Sequence, residues 1–415
     1  MARFHFRCSE CSLELDERPM LYVCPTCSAK QEAGGVTRGV LEVVIEFLPT
    51  SWRFARPGTA EFLTSFLPIN EPLSLPPLPV GGTPLMEVPE LRRALGMDHL
   101  FLKDDTRNPS GSTKDRASYL VVTKAVEYGS NTVAAASTGN AATALAAVAA
   151  SAGVRAVVFV PAGAPPAKLV QMLSYGAELL PVAGSYDDAF ELSLAACDRF
   201  GWTNRNTAFN PFTIEGKKTA ALEIAAEMDP DAPDVVVVTA GDGVITAGLA
   251  KGFADLEAGG LIVRRPRLIV VQPQGTAAIS TALRSGADEI TPVPGAASIA
   301  DSLTVEAPRN AFLCLREVRA SNGSGVIVSD DDILASIPRL AGLTGVFAEP
   351  AAAAALAGLE TALDEGLVDR DERVVLMITG SGLKDVAAAA RAIEVPDAIE
   401  PTIDAVTTVL GACSA

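Results

Sequence analysis

Lys114 stands where a turn becomes a helix. Before it, Asn108-Pro109-Ser110-Gly111 combines local side-chain bonding, a fixed φ and a residue free to take φ > 0, which favours a tight turn. Ser112 or Thr113 can cap the helix that follows. Lys114 then falls in a first helical turn, where unpaired N–H groups and the helix dipole disfavour positive charge. A lysine so placed can offer a free amine, the form a Schiff-base lysine needs. Taken alone, the stretch also suits a surface turn before a polar helix.

Three further loops each follow an apolar run. Ser137-Thr138-Gly139-Asn140-Ala141 sets hydroxyls, a glycine and an amide before a helix, where N–H groups favour a carboxylate or phosphate. Thr239-Ala240-Gly241-Asp242-Gly243-Val244-Ile245-Thr246 lets backbone N–H groups approach a phosphate. It fails as a dinucleotide fingerprint, because Gly241 and Gly243 are followed by Thr246 and not by a third glycine. The Asp242 charge would repel a phosphate unless it points away. Thr379-Gly380-Ser381-Gly382 offers neutral hydroxyls at a strand end, suited to a ring nitrogen. Each loop also reads as an ordinary strand-to-helix turn.

Cys8-x2-Cys11 and Cys24-x2-Cys27, twelve residues apart, can place four thiolates tetrahedrally around one Zn²⁺. Iron, or two free thiol pairs, would satisfy the same spacing. A four-thiolate site is closed, so its role would be structural.

These groups need a scaffold. From about residue 98, short β-branched runs alternate with Ala-rich helical stretches. Strands are expected over 132–136, 155–160, 234–239, 267–272 and 373–378. Helices are expected over 115–128, 141–152, 166–175, 185–199, 214–228, 246–256, 330–341, 350–365 and 383–394. This alternation predicts an α/β fold with mostly parallel sheet, which binds ligands beyond the strands' carboxyl ends. The expected divisions are a zinc-ribbon-like module over 1–33, a proline-rich extended arm over 34–80 that contains a short alternating strand from Val40 to Phe47 and then Trp52, Arg53 and Phe54, a catalytic domain over 81–400, and a tail over 401–415 containing Cys413.

Composition narrows the function. With 33 basic against 50 acidic residues, a net charge of −17 disfavours nucleic acid and anionic membranes as partners. The apolar stretch 134–160 is interrupted by Ser137, Thr138, Gly139, Asn140 and Arg155, so it reads as buried α/β structure and not as a membrane span. No secretory signal is visible. Seven cysteines, three of them far apart, do not make a disulfide framework, which points to a reducing cytoplasm. The two histidines, His5 and His99, lie beside no motif, which argues against Ser-His-Asp or Cys-His chemistry.

Five stretches in this order resemble the fold-type II pyridoxal-phosphate enzymes, and most closely the threonine synthases: 108–116, 137–140, Asn210-Pro211-Phe212-Thr213-Ile214-Glu215-Gly216-Lys217-Lys218-Thr219, Phe347-Ala348-Glu349-Pro350-Ala351 and 379–385. The resemblance extends from the cysteine ribbon to about residue 394. It implies two parallel-sheet subdomains, the smaller at roughly 115–210 inserted in the larger, and a homodimer. It implies that Lys114 holds pyridoxal 5'-phosphate covalently and shuttles protons, and that Asn140 bonds the cofactor's ring hydroxyl. The backbone of Gly241, Asp242, Gly243, Val244 and Ile245, with Thr246, would cradle its phosphate, and Thr379 would face the ring nitrogen. Ser137, Thr138 and the amide of Ala141 would hold the carboxylate of a small amino-acid substrate, with Thr213 in the substrate-phosphate region. The implied reaction converts O-phospho-L-homoserine and water to L-threonine and phosphate.

Three positions depart from the family pattern. Thr213 replaces an arginine that looks like a substrate-phosphate binder, Ala141 replaces a threonine, and Thr113 replaces a phenylalanine. Arg205, Asn206, Lys217 and Lys218 are candidates to compensate. The departures also fit a paralogue acting on another amino acid, such as a serine/threonine dehydratase or a cysteate synthase. A scaffold that kept the fold without activity and a dinucleotide-dependent oxidoreductase fit the loops less well.

Overall fold

A computed structural model describes residues 4–32, 34–51, 57–164 and 166–412. Trp52, Arg53, Phe54 and Cys413 lie outside the described residues. Among the described residues thirteen strands make three sheets: β1 (Phe4–Cys8), β2 (Glu14–Leu15), β3 (Leu41–Ile45), β4 (Leu85–Glu87), β5 (Leu100–Asp104), β6 (Thr132–Ala136), β7 (Arg155–Pro161), β8 (Glu178–Val182), β9 (Thr203–Asn204), β10 (Val235–Thr239), β11 (Arg267–Pro273), β12 (Ser324–Val328) and β13 (Val374–Ile378).

The largest sheet has the order β12-β11-β10-β13-β5-β4 and is parallel except for its edge strand β4. Its central strands read Val-Val-Val-Val-Thr and Val-Val-Leu-Met-Ile and are buried throughout. Unbroken apolar runs of this kind arise because helices cover both faces of a parallel sheet. On one face the helix Pro350–Asp364 supplies a row of buried alanines, and their small side chains let it lie close to the strands. The second sheet, β8-β7-β6-β9, is wholly parallel and drawn from residues 132–204.

Between the sheets lie the helices Lys114–Glu127 and Phe212–Met228. They touch at Gly216, where an added Cβ would run into the carbonyl of Arg116. A second close crossing sets Gly248, on helix Val244–Ala258, against Lys217, whose Cβ would stand 2.7 Å from an added Cβ. Glycine at these crossings brings the helix bearing Lys114 and the helix bearing Lys217 to one centre.

The third sheet, β2-β1-β3, is antiparallel; Cys8 ends β1 and Cys11 lies in the turn after it, while Cys24 stands at the N-cap of the short helix Pro25–Ser28 and Cys27 lies within it. β3 falls in the stretch expected as a connector, yet it pairs with β1 over its whole length, so the sheet of the cysteine module extends to Ile45. The connector is also not uniformly extended: Ala60–Phe66 is a helix capped by Thr59, whose hydroxyl accepts the Phe62 N–H. The strand expected from Val40 to Phe47 is β3, and it and the five strands expected beyond residue 98 are present within two residues of their bounds. The helix expected over 383–394 is broken. Asp385 takes an extended φ of −146° and caps only the single turn Val386–Ala389, flanked by short 3-10 turns. Among the described residues no helix is long and apolar enough to cross a membrane.

Candidate active site

The loops after β6, β10 and β13 open onto one cavity of about 770 Å³, with Lys114 on its wall. Three backbone stretches are sewn together beneath it. Thr113 donates its N–H to the Thr379 carbonyl at 2.8 Å, Ser381 to Gly111 at 2.9 Å, and Glu349 to Gly380 at 3.1 Å. The lysine turn, the Glu349 turn and the Thr379 loop are therefore held in fixed register. Gly111 takes φ +86° at this junction, a conformation that favours glycine.

A buried charge network fixes the lysine helix. Arg116 is 2% exposed. It donates to both carboxylate oxygens of Asp105 (2.8 and 2.7 Å), both of Glu223 (2.6 and 2.8 Å), and the hydroxyls of Thr83 and Thr219 (2.9 Å each). Lys103 reaches Glu223 at 3.0 Å from the other side. Burial alone would raise the Glu223 pKa, but Arg116 and Lys103 outweigh it and hold the carboxyl at about 2. Ser110 donates its N–H to Asp115 at 2.8 Å, closing the turn before Lys114. The expected side-chain cap is weak: Thr113 occupies the cap position in helical φ/ψ without a cap bond, and Ser112 Oγ accepts the Lys114 N–H only at 3.4 Å.

Burial pushes the Lys114 amine below its usual pKa; Glu349 raises it, Arg205 lowers it further, and Asp242 and Asp105 raise it. The helix start is the feature visible in the sequence, whereas the larger cause of the lowered pKa is enclosure by protein. The amine still opens onto the cavity, so a reagent can reach it there.

Ser137, Thr138, Asn140, Ala141, Gly241, Asp242, Gly243, Val244, Ile245 and Thr379 line the same cavity as Lys114. Gly243 has φ +84°, and an added Cβ would stand 2.7 Å from Cys314 Cβ, so only glycine fits this turn. The adjoining helix Val244–Ala258 starts there and points its free N–H groups at the loop. Asp242 accepts the Arg309 N–H at 3.0 Å, which engages one oxygen of the carboxylate with the 309–310 segment. Two expected residues lie off the wall. Thr246 is fully buried in the helix. Thr213 is fully buried too, and its hydroxyl donates to the Asn210 carbonyl at 2.7 Å, so it presents nothing to the cavity.

Glu349 is a site residue whose role the sequence does not reveal. It lines the cavity and accepts from Asn140 Nδ2 at 2.9 and 3.0 Å. Burial raises its pKa, while the Asn140 bond and Lys114 lower it. Asn140, expected against a cofactor hydroxyl, thus spends its amide on a carboxylate. The only signal in the sequence was the acidic residue preceding Pro350 at a helix start. Arg205 and Lys217 also face the cavity.

The four cysteine Sγ atoms of Cys8, Cys11, Cys24 and Cys27 lie within 4.8 Å of one another, with Cys8–Cys27 and Cys11–Cys24 both at 3.8 Å. A tetrahedron with Zn–S bonds of about 2.3 Å has edges of about 3.8 Å, so the donors fit such an ion.

Comparison with known proteins agrees with this geometry. Residues 77–380 match the family described as pyridoxal-phosphate dependent enzyme. A threonine synthase of Methanosarcina acetivorans is 34% identical over 418 residues, covering 97% of this chain and 98% of that protein. The threonine synthase of Mycobacterium tuberculosis is 33% identical over 362 residues, covering 87% and 97%. The chain belongs to the threonine synthase family of pyridoxal-phosphate-dependent enzymes. Among solved structures, the processed form of threonine deaminase isoform 2 from Solanum lycopersicum superposes with a TM-score of 0.66 at 19% identity, covering 84% of this chain and 99% of that one. Maize serine racemase superposes at 0.63 with 20% identity, covering 72% and 89%. These likenesses show the fold, that of fold-type II enzymes. The chain is a pyridoxal-phosphate-dependent lyase of the threonine synthase type.

Proposed function

We propose that this enzyme converts O-phospho-L-homoserine and water to L-threonine and phosphate. The observation that carries the reading is Lys114, an amine with a depressed pKa on the wall of the cavity formed by three strand-end loops. The residues present suit pyridoxal phosphate. Lys114 would anchor it, the N–H groups of 241–245 would take its phosphate, and Thr379 would offer a neutral hydroxyl to its ring nitrogen. When bound, the cofactor supplies the electron sink for negative charge at the substrate α-carbon.

The protein's own groups do the rest. Ser137, Thr138 and the amide of Ala141, at the start of helix Asn140–Ser151, orient the substrate carboxylate. Lys114 takes the α-proton as a neutral base, its protonation poised by Glu349, Asp242 and Asp105 against burial and Arg205. Removal of a β-proton then expels the γ-phosphate, and water adds at Cβ while protons return to Cγ and Cα to give threonine. Asn140, whose amide donates to Glu349, would have to share it to reach a cofactor ring hydroxyl.

Cys8, Cys11, Cys24 and Cys27 would hold a structural Zn²⁺ that pins the N-terminal sheet. We further assign the four-stranded sheet to a smaller subdomain over roughly 115–210 inserted in the catalytic domain 81–400, a homodimeric state, and a cytoplasmic location.

Purified holoenzyme given O-phospho-L-homoserine is expected to release phosphate and L-threonine in equal amounts; absence of phosphate release contradicts the assignment. One observation favours a second reading. Thr213 lies off the cavity and the side chain of Ala141 is only a methyl, so a different leaving group is the alternative, of the serine/threonine dehydratase or cysteate synthase kind. A panel of amino acids, followed by the absorbance of the bound cofactor, separates the two.

A further inference from the structure

Four cations line the cavity: Lys114, Arg205, Lys217 and Arg309. Lys114 is the anchor. Arg309 is paired with Asp187 at 2.7 Å and lies over the Phe190 ring. Arg205 and Lys217 remain. They are 0% and 1% exposed, and neither has a carboxylate within ion-pair distance among the described residues. Every other buried cation of the interior that we describe has such a partner: Lys103, Arg116, Lys124 and Lys218 are each bonded to glutamate or aspartate. A buried cation left unpaired is costly unless something else neutralises it.

The guanidinium of Arg205 is also pre-set. Its Nε donates to Ser118 Oγ at 3.0 Å and its Nη1 to Thr207 Oγ1 at 2.8 Å, while Nη2 is buried with no partner. Lys217 reaches the same centre from helix Phe212–Met228. A fixed guanidinium with a spare N–H beside a buried lysine amine, which a bound anion would protonate, suits a doubly charged oxyanion. The glycine loop 241–245 would spend its backbone N–H groups on the cofactor phosphate, and Thr213 offers no donor to a second one.

We propose that Arg205 and Lys217 form an oxyanion subsite that receives the phosphoryl group of the substrate, the group that leaves as inorganic phosphate. This rests on the reading of the enzyme as acting on a phosphorylated amino acid. The subsite takes over the task that Thr213 and Ala141 do not perform.

The test uses holoenzyme and two probes, inorganic phosphate by calorimetry and O-phospho-L-homoserine by steady-state kinetics. Hydrogen bonds to charged groups are worth about 1.5–3 kcal/mol, or roughly 10- to 100-fold. Arg205→Met and Lys217→Met are each expected to weaken phosphate binding and raise KM by that factor, with full cofactor content and unchanged absorbance of the lysine-linked cofactor. Lys217→Arg is expected to restore most of the affinity. Phosphate binding unchanged in both Met variants overturns the proposal. So does loss of cofactor with normal phosphate affinity in the fraction that keeps it, which would assign the two cations to the cofactor phosphate. Should Arg205→Met not fold, reductive methylation of wild-type holoenzyme decides. Phosphate that slows labelling of Lys217 supports the subsite, and labelling indifferent to phosphate overturns it. If wild-type holoenzyme binds phosphate through this pair but releases none from O-phospho-L-homoserine, the subsite stands and the substrate assignment falls.

Discussion

Removing Arg116 tests how the reactive lysine is positioned. Arg116→Met keeps side-chain bulk but deletes six hydrogen bonds, four of them to carboxylates. Asp105 and Glu223 are both fully buried on their side chains. Glu223 retains Lys103 at 3.0 Å and the Gly82 N–H at 2.9 Å, whereas Asp105 retains only the Thr83 hydroxyl. Breaking a buried pair by removing one partner typically costs about 3–5 kcal/mol. The surviving Lys103–Glu223 contact puts the expected loss at the lower end, about 3 kcal/mol, or for a chain of 415 residues a melting point lower by roughly 3–4 °C. The loss should depend on pH in one direction. Glu223 is held at about 2, below the ordinary 4.5, so its contribution is complete above the ordinary value and disappears as pH falls through about 2. The gap between wild type and variant should therefore narrow on acidification from pH 5 towards about 2, followed by calorimetry or circular dichroism. Arg116→Met/Asp105→Asn should recover part of the loss in a double-mutant cycle. Because Arg116 is two residues from Lys114, cofactor retention should fall as well. A variant melting with wild type at pH 7 and keeping full cofactor would refute this account of the network.

Three further perturbations address other parts of the site. Gly243→Ala meets both a left-handed φ of +84° and Cys314 Cβ at 2.7 Å, so cofactor affinity measured by equilibrium dialysis is expected to drop at least tenfold, roughly the effect of 1.4 kcal/mol. Glu349→Gln removes a charge that raises the Lys114 pKa, so cofactor capture by the apo-enzyme should tolerate lower pH than in wild type; an acid limb that stays put or moves up contradicts the coupling. Cys24→Ser should lower bound metal, measured by elemental analysis, and melting temperature while leaving turnover in the folded fraction; loss of all turnover in folded protein would contradict a purely structural role.

Much of this was legible in the sequence because strong local signals and tertiary structure agree. The runs at 235–239 and 374–378 are apolar at every position because helices cover both faces, and they stand out for that reason. Edge elements were harder to see. β8 contains Pro181 and is largely exposed or half-exposed, and β12 begins Ser-Gly, so neither carries the central-strand pattern. At the site, glycines and hydroxyls marked the loops, since backbone shape is local chemistry. What joins them is not local. The pairing of Asn140 with Glu349 spans 209 residues, and the unpaired state of Arg205 and Lys217 is visible only once all their neighbours are known. The departure at Thr213 was readable as a substitution, but its hydroxyl's bond to Asn210 explains why it cannot act in the cavity.

The central claim is that Lys114 is the cofactor anchor, and Lys217 makes that claim sharp. Burial, Lys114 and Arg205 push the Lys217 pKa well below its ordinary value, so two reactive amines face one cavity. Borohydride reduction of the holoenzyme, followed by peptide mapping by mass spectrometry, distinguishes them. A pyridoxyl adduct confined to Lys114, and absent from Lys114→Ala, is the predicted result; an adduct on Lys217, or none on either lysine, would contradict it.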